Sequence, residues 1–287
     1  MPKILHISDL HFGWPAVPEQ ADAVEETAQT EKFDIIALSG DLAQRARAGE
    51  FQRARVFMRD VRRPRMTNAT PPDLVVVPGN HDVAWWFAPL GLGQRWRVYE
   101  KYRRYINETL EPVLRSHGTM IVGLNTAAGV DWHTLTWNPR DVSVKGALRQ
   151  SQIDWAGEQF KSAAPGEMRI IVMHHNPLRG ELSQRHGLLR SRQALDAFGR
   201  MGVELVLCGH DHQVSVDFVE QAAPEGGSGK HGIVVSTAGT LSSRSRGGHP
   251  SSYNVVTITD KTIEVEVRSW SASARSFEPA GERCFER

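Results

Sequence analysis

The stretch LVVVPGNHD at residues 74–82 begins with apolar residues and ends with polar ones. Its first half is apolar and predicts a buried β-strand. The chain then turns at Gly79 and presents an amide, an imidazole and a carboxylate in succession, at Asn80, His81 and Asp82. A tight hairpin explains the glycine and the asparagine, but it does not explain histidine and aspartate directly after them. The end of this strand is therefore a candidate functional turn.

Similar apolar strands recur along the chain. Six are predicted in the first part, at Lys3–Ser8, Asp34–Ser39, Leu74–Val77, Thr119–Leu124, Arg169–Met173 and Glu204–Leu207. Helix-like stretches with apolar residues three and four positions apart lie between most of these strands, which predicts a layered α/β core. After Gly209 the predicted strands follow one another without helices, at Val214–Val219, Gly232–Ser236, Tyr253–Thr259 and Thr262–Arg268.

Five of the core strands are followed at their carboxyl ends by side chains that can bind metals. The turns read SDLH (8–11), SGD (39–41), PGNHD (78–82), MHHNP (173–177) and CGHDH (208–212). Because ligands bind at the carboxyl ends of strands in α/β sheets, we expect the five turns to meet at one site. The candidate metal ligands are Asp9, His11, Asp41, Asn80, His174, His210 and His212.

The chemistry of these donors indicates which metals they would hold. Nitrogen and oxygen donors suit divalent or trivalent first-row metals. Seven donors exceed what one tetrahedral zinc ion uses, so the set favours two metals that share a bridging carboxylate. In the pairs Asp9/His11 and His210/His212, alternate side chains of an extended segment lie on the same side and can approach one centre.

The ordered set D-x-H, G-D, G-N-H-D, H-H-x-P and G-H-x-H resembles the motifs of the calcineurin-like metallophosphoesterase superfamily. The similarity runs from Lys3 to about Trp270. We therefore expect one domain at residues 1–270 and a polar C-terminal tail at 271–287. The resemblance implies an α/β fold, a four-layer αββα sandwich of two mixed sheets flanked by helices, with a dinuclear metal centre.

The resemblance also implies a role for each candidate residue. The ligands would be Asp9, His11 and His212 for the first metal, Asn80, His174 and His210 for the second, and Asp41 as the bridge. His81 would be a catalytic residue that faces the scissile phosphate without binding metal, and Asp82 would be the acidic partner that orients its ring. The cofactors would be two divalent or mixed-valence transition metal ions (Fe, Mn, Zn or Co), with a bridging hydroxide that attacks the phosphodiester.

The residues within and around the motifs indicate which branch of the superfamily this chain resembles most. The protein Ser/Thr phosphatases continue their second motif as G-D-x-V-D-R-G where this chain has GDLAQRA (40–46), and purple acid phosphatases have tyrosine where Gln44 stands. The forms HISDLHFG, GNHD, HHNP and GHDH are most similar to bacterial class III cyclic-nucleotide phosphodiesterases. This implies a 3',5'-cyclic nucleotide substrate. The alternative is a broad-specificity phosphodiesterase, or a nuclease or pyrophosphatase acting on nucleic-acid ends, phospholipid head groups or nucleotide-sugars.

A different class of function stays open at this level. A non-catalytic module could keep such a fold for regulation or protein binding. That hypothesis expects some metal ligands to be lost, and this chain has all of them.

Five further residues are weaker candidates for substrate binding: His175, Trp14, Trp86, Arg244 and Arg246. His175 either supports its neighbour or packs beside it. The tryptophans could stack on a nucleobase, although loop packing explains a single tryptophan more often. The two arginines could meet an anionic substrate or lie on a surface loop. Residues 45–65 are rich in arginine, and an amphipathic helix with a solvated basic face explains them better than polyanion binding does.

Composition limits the class of protein. With 287 residues and 40% hydrophobic residues, the chain can bury a full core. The formal net charge of +1 argues against global attraction to nucleic acid, which stays possible but is not favoured as a partner. Met1–Phe12 has no apolar signal-peptide region, no apolar run is long enough to span a membrane, and the two cysteines form no disulfide framework. We expect a cytoplasmic protein with a small phosphodiester substrate, and a homo-oligomer is possible.

Overall fold

The structure, a computed structural model, describes residues 1–65, 69–84, 97–127, 145–178, 187–224 and 229–287. In these ranges the α-helices are α1 (Pro18–Thr30), α2 (Ala48–Val61), α3 (Glu100–Tyr105), α4 (Gln150–Lys161) and α5 (Ser191–Arg200). The strands are β1 (Lys3–Ile7), β2 (Ile35–Leu38), β3 (Asp73–Val76), β4 (Val113–Ser116), β5 (Thr119–Leu124), β6 (Met168–His175), β7 (Val203–Gly209), β8 (Ser215–Ala222), β9 (Lys230–Thr237), β10 (Ser252–Ile258), β11 (Thr262–Ser271) and β12 (Ser276–Glu286).

The described strands form two mixed sheets. The first sheet has the order β12-β11-β10-β1-β2-β3, and the second has the order β4-β5-β6-β7-β9-β8. Strands β1, β2 and β3 are parallel, as are β5, β6, β7 and β9, while the outer pairings are antiparallel. The parallel centre of each sheet consists of the short apolar strands that the sequence predicts, because strands covered on both faces must be apolar throughout.

Three apolar clusters separate four layers. Ile4, Ile170 and Leu205 belong to the cluster that fills the space between the two sheets. A second cluster packs helices α1, α2 and α3 on the outer face of the first sheet, and a third packs α4 and α5 on the outer face of the second sheet. The predicted four-layer αββα sandwich is therefore confirmed.

Helix α2 contains most of the arginine-rich segment at residues 45–65. Phe51, Ala54 and Phe57 are buried on one face of the helix, whereas Arg53 and Arg55 are exposed on the other. The segment is an amphipathic helix with a basic face, as the spacing of its apolar residues predicts. Among the described helices, none is long and apolar enough to cross a bilayer.

The carboxyl ends of the central strands of both sheets come together at one edge. Within the first sheet, the amide of Asp9 donates to the Gly40 carbonyl at 3.0 Å and the amide of His11 donates to the Asp41 carbonyl at 2.9 Å. Across the sheets, the amide of His210 donates to Asp9 Oδ2 at 2.9 Å. The turns after β1, β2 and β7 are thereby joined by direct hydrogen bonds.

The residues expected to form a C-terminal polar tail are instead mostly part of the first sheet. Ser276–Glu286 form β12, which pairs with β11 along its length. Pro279 and Gly281 disfavour a strand by local propensity, which is why the sequence pattern did not predict one. Proline is tolerated on an edge strand, where one side of the backbone needs no ladder partner. The boundary at residue 270 was therefore wrong.

Removal of residues 276–287 is expected to lower the free energy of unfolding by at least ~2 kcal/mol, through the loss of two half-buried phenylalanines. Phe277 packs on Tyr253 and Trp270 at centroid distances of 4.9 and 5.2 Å, and Phe285 stacks on Phe218 at 5.7 Å. Urea unfolding of the truncated protein measures this loss, with the exposed-site variant Glu282→Ala as control. An unchanged unfolding midpoint would mean that these residues behave as a free tail.

Candidate metal centre

The first group of predicted ligands lies at the ends of β1 and β7. His11 Nε2 is 3.0 Å from His212 Nε2 and 3.6 Å from Asp9 Oδ1, and His212 Nε2 is 3.1 Å from the same Asp9 oxygen. The three side chains are almost fully buried, with relative exposures of 0% to 4%. Together with Asp41, they form a group of four side chains that could hold one metal ion.

The second group lies beside the first, at the ends of β3, β6 and β7. Asn80 Oδ1 is 3.1 Å from His174 Nε2 and 3.1 Å from His210 Nδ1, and these two nitrogens are 3.2 Å apart. His174, His175 and His210 also form a group that could hold a metal ion. The structure thus brings together Asn80, His174 and His210, the three residues that the family resemblance implies for a second metal.

Asp41 connects the two groups. Its Oδ2 atom is 3.7 Å from His11 Nε2 in the first group and 3.4 Å from His174 Nε2 in the second. Its other oxygen, Oδ1, accepts a hydrogen bond from the backbone amide of His81 at 2.8 Å. A carboxylate fixed in this way presents one oxygen to both groups, which is the position that a bridging ligand needs.

The hydrogen bonds of the histidines show that the site suits cations. His174 Nδ1 donates to the Ser39 carbonyl at 2.7 Å and His212 Nδ1 donates to the Arg244 carbonyl at 3.0 Å, so Nε2 is the atom of each ring that offers a lone pair once the ring is neutral. These lone pairs face oxygens that are also acceptors. Asp9 Oδ1 and Asp41 Oδ2 are buried and have no hydrogen-bond partner among the described residues. Converging acceptors repel one another unless positive charge lies between them, so the donor set fits two metal ions.

The pKa shifts of the buried side chains also favour the binding of cations. Burial alone would raise the pKa of Asp9, but His212 and His11 hold it well below its ordinary value. Burial likewise opposes ionisation of Asp41, and His174 still brings the pKa of Asp41 far below its usual range. Burial lowers the pKa of His11 to about 4. Both carboxylates are therefore ionised and His11 is neutral, the forms that bind metals.

The pKa of His174 is shifted in the opposite direction from that of His11. Burial lowers its pKa, but the Asp41 carboxylate raises it by more, to about 9. The same negative potential that attracts this proton would attract a metal ion, and a metal ion would compete with the proton.

The backbone at the candidate ligands is strained. Nine described non-glycine residues have φ in the left-handed region, and five of these are candidate ligands: Asp9 (54°), His11 (48°), Asp41 (54°), His210 (75°) and His212 (55°). This conformation costs about 1–3 kcal/mol at each residue and persists where the surroundings enforce it, typically at functional sites. Close packing adds to the constraint, because a Cβ atom on Gly79 would lie 2.1 Å from Asp41 Oδ1.

His81 lies beside the first group, and the described metal-binding groups do not include it. Its ring stands edge-on to His11 with centroids 4.8 Å apart. His81 Nδ1 donates to the Gln44 carbonyl at 2.8 Å, and Nε2 lies 3.3 Å from Arg244 Nη1. The backbone carbonyl of Gln44 therefore fixes the ring and leaves Nε2 as the reactive atom.

Asp82 does not hold the His81 ring, so the expected pairing of these two residues was wrong. Its carboxylate accepts three backbone hydrogen bonds, from Leu42 at 3.1 Å, Ala43 at 2.8 Å and Gly79 at 2.9 Å. The turn at residues 80–82 directs the Asp82 side chain toward the turn after β2. Asp82 is therefore a structural residue that ties the turn after β3 to the turn after β2.

Asp82→Ala is expected to lower the free energy of unfolding by ~3 kcal/mol or more, because three buried amides would lose their acceptor at about 1–3 kcal/mol each. Urea unfolding of the metal-free protein measures the effect, and Asp154→Ala on the exposed face of α4 is the control. A variant with wild-type stability and greatly reduced activity would contradict this assignment and would restore a catalytic role for Asp82.

The weaker candidates have different surroundings. His175 is fully buried, bonds Thr126 Oγ1 through Nδ1 at 2.8 Å and packs on His210 at 4.4 Å between centroids, which favours support of that ligand over contact with substrate. Trp14 is 90% exposed, in the loop after β1. Trp86 lies outside the described residues.

The two arginines are both on the loop at residues 238–251, between β9 and β10. Arg244 reaches His81, as described above. The backbone amide of Arg246 donates to the His212 carbonyl at 3.3 Å, and its side chain is half-exposed. Of the two, only Arg244 has a described side-chain contact with the side chain of a predicted site residue.

Two contributors to the site were missed by sequence reasoning. Gln44 orients His81 through its carbonyl and contacts Arg244 Nη1 through Oε1 at 3.2 Å. A backbone carbonyl leaves no signal in a sequence. Thr126 supports His175, and here a signal was present, because the polar pair Asn125 and Thr126 follows β5 just as the motif residues follow other strands.

Comparison with solved structures shows proteins of similar fold. The structure is similar to a purple acid phosphatase, PPD1, from yellow lupin (Lupinus luteus) seeds, with a TM-score of 0.67 and 10% identity over 100% of this chain and 54% of that one. The chain thus spans about half the length of the lupin protein. It is also similar to GAP50, the anchor in the inner membrane complex of Plasmodium, with a TM-score of 0.58 and 13% identity over 99% and 88% of the two chains. At such identities the likeness concerns the fold alone.

No curated protein matches the chain in sequence. The family model for calcineurin-like phosphoesterases, however, matches residues 2–214. That range contains every candidate metal ligand together with His81. The chain belongs to the calcineurin-like phosphoesterase family.

Proposed function

We propose that the protein is a phosphodiesterase that uses two metal ions and hydrolyses a 3',5'-cyclic nucleotide. The observation that carries the proposal is the pair of buried donor groups that share the Asp41 carboxylate, with His81 next to them and outside both. The first metal would be held by Asp9, His11 and His212, the second by Asn80, His174 and His210. Bound there, the metals would supply Lewis acidity toward the phosphoryl group and lower the pKa of a water molecule.

The protein's own residues would do the remaining work. The buried ligands and their bonds to backbone carbonyls fix the site before substrate arrives, which avoids reorganisation during the reaction. His81, held by the Gln44 carbonyl, presents Nε2 toward the site, where it can hold a proton for the leaving oxygen. The choice of a cyclic nucleotide rests on the resemblance of the motifs, whereas the metal chemistry rests on the geometry.

A substrate panel tests the proposal. Protein that has been stripped with a chelator and reloaded with Mn, Fe, Zn or Co is offered cyclic AMP, bis-p-nitrophenyl phosphate, short single-stranded DNA and a phosphomonoester. We expect metal-dependent hydrolysis, with diesters cleaved faster than the monoester and cyclic AMP cleaved fastest among the natural diesters. Dominant monoesterase activity would refute the diesterase assignment. Preference for DNA would replace the cyclic nucleotide by the broader alternative.

A further inference from the structure

Arg244 is placed by its backbone against the metal ligands. Its carbonyl accepts the hydrogen bond from His212 Nδ1 at 3.0 Å. The same loop is tied to the turn after β1, since Thr240 Oγ1 donates to the Asp9 carbonyl at 2.7 Å. The position of Arg244 is therefore fixed relative to both ends of the first ligand group.

The guanidinium group of Arg244 contacts Gln44 and His81, the candidate catalytic residue. Its Nη1 donates to Gln44 Oε1 at 3.2 Å and lies 3.3 Å from His81 Nε2. Because His81 Nδ1 donates to a carbonyl, Nε2 is the ring atom that can accept the bond from Arg244. Both contacts use a single nitrogen, so the Nη2 and Nε donors have no acceptor among the described residues.

The charge of Arg244 lacks a counter-ion. The side chain is half-buried, and no aspartate or glutamate in the described parts of the chain forms an ion pair with it. The two neighbouring carboxylates, Asp9 and Asp41, face the histidine groups instead. A partly desolvated guanidinium without an anion is unfavourable, and its planar fork of donors matches the oxygens of a phosphate.

We propose that Arg244 is a substrate-binding residue whose guanidinium moves from His81 and Gln44 to a non-bridging oxygen of the substrate phosphate. The inference rests on the proposed phosphodiesterase function and adds to it. An incoming phosphate supplies the missing counter-ion, and the open Nη2 and Nε donors can bind it first. Transfer of Nη1 then frees His81 Nε2, so that binding of the anion and exposure of the catalytic nitrogen occur together.

The test measures the affinity of the metal-loaded protein for inorganic phosphate by calorimetry, with elemental analysis of every variant. Arg244→Gln is expected to raise the Kd about 10- to 100-fold with unchanged metal content, the loss typical of charge-assisted hydrogen bonds. Arg244→Lys should recover part of the affinity, because it restores the charge without the fork. Gln44→Glu should also weaken binding, because it gives Arg244 a carboxylate partner. Arg55→Gln, on the exposed face of α2, is the control and should bind phosphate as the wild type does.

Several results would overturn the inference. An unchanged phosphate Kd in Arg244→Gln, or in both Arg244→Lys and Gln44→Glu, would show that the guanidinium does not bind the anion. Loss of metal from Arg244→Gln would show that the side chain acts by holding its loop, and with it the Arg244 carbonyl, against His212. Failure of the proposed function is distinguishable, because phosphate binding is measured without turnover. Arg244-dependent phosphate affinity in a protein that cleaves no diester would refute that function alone.

Discussion

Asp41→Asn is expected to lose metal from both positions and to lower phosphodiester hydrolysis by at least about 10³-fold, since each metal supplies several kcal/mol of transition-state stabilisation. Asp41 Oδ2 lies within 3.7 Å of a side-chain histidine nitrogen in each group. Asparagine cannot supply the same charge, because one of its terminal atoms is a hydrogen-bond donor and the amide is neutral. Both groups would therefore lose an anionic ligand through a single substitution.

Elemental analysis and hydrolysis of bis-p-nitrophenyl phosphate measure the two effects together. Asp154→Asn, which removes an exposed carboxylate on α4, is the matched control and should keep wild-type metal content and rate. Two metal ions retained per chain in Asp41→Asn would refute the bridging role. Retention of one ion would assign Asp41 to a single metal.

His81→Ala is expected to keep both metals and to slow hydrolysis of an alkyl or ribose diester by about 10²–10⁴-fold, the usual contribution of general acid catalysis. His81 lies outside the described metal-binding groups, with its ring 4.8 Å from that of His11 and its Nε2 beside Arg244 Nη1. A nitrophenyl leaving group hardly needs a proton, so the same variant should lose much less activity on bis-p-nitrophenyl phosphate. The difference between the two substrates, more than the loss itself, identifies the role of the residue.

The control for His81→Ala is His117→Asn, which removes an exposed imidazole at a left-handed turn where asparagine is tolerated. It should leave both rates unchanged. Equal losses on the two substrates would exclude proton donation by His81. Loss of metal from His81→Ala would mean that it supports the ligands.

The convergence of the candidate metal ligands could be predicted from the sequence, because it depends on strand order and on where the strands end. Apolar strands such as Lys3–Ile7 and Val203–Gly209 are buried on both faces, and the next residues along the chain must emerge at the edge of a sheet. Asp9 and His210, 201 positions apart, are consequently hydrogen-bonded neighbours. The pattern of apolar and polar residues contains this information.

The directions of individual side chains could not be predicted in the same way. Asp82 follows His81 in the chain, and adjacency suggested that the two side chains interact. The short helical turn at residues 80–82 points them apart, and the partner of the His81 ring is a backbone carbonyl with no sequence signal. Arg244 is 163 positions from His81, on a loop without regular secondary structure, so its place in the site depends on tertiary packing alone.

Edge strands were a second source of error, for a physical reason. Only Ser276, Phe277 and Phe285 of β12 are partly buried, so the strand carries little of the apolar alternation from which strands are inferred. Its stability comes from pairing with β11, a contact that the pattern of β12 itself does not encode. The central strands are apolar in sequence and pair with neighbours on both sides, and the sequence pattern predicted them correctly.

The number of metal ions bound per chain tests the central claim most directly. Protein reconstituted with excess Mn, Fe, Zn or Co and freed of unbound metal by gel filtration is analysed for metal and protein content. We predict two ions per chain for at least one of these metals. A saturated stoichiometry of one, or no retained metal under any of these conditions, would contradict a centre in which two donor groups share Asp41.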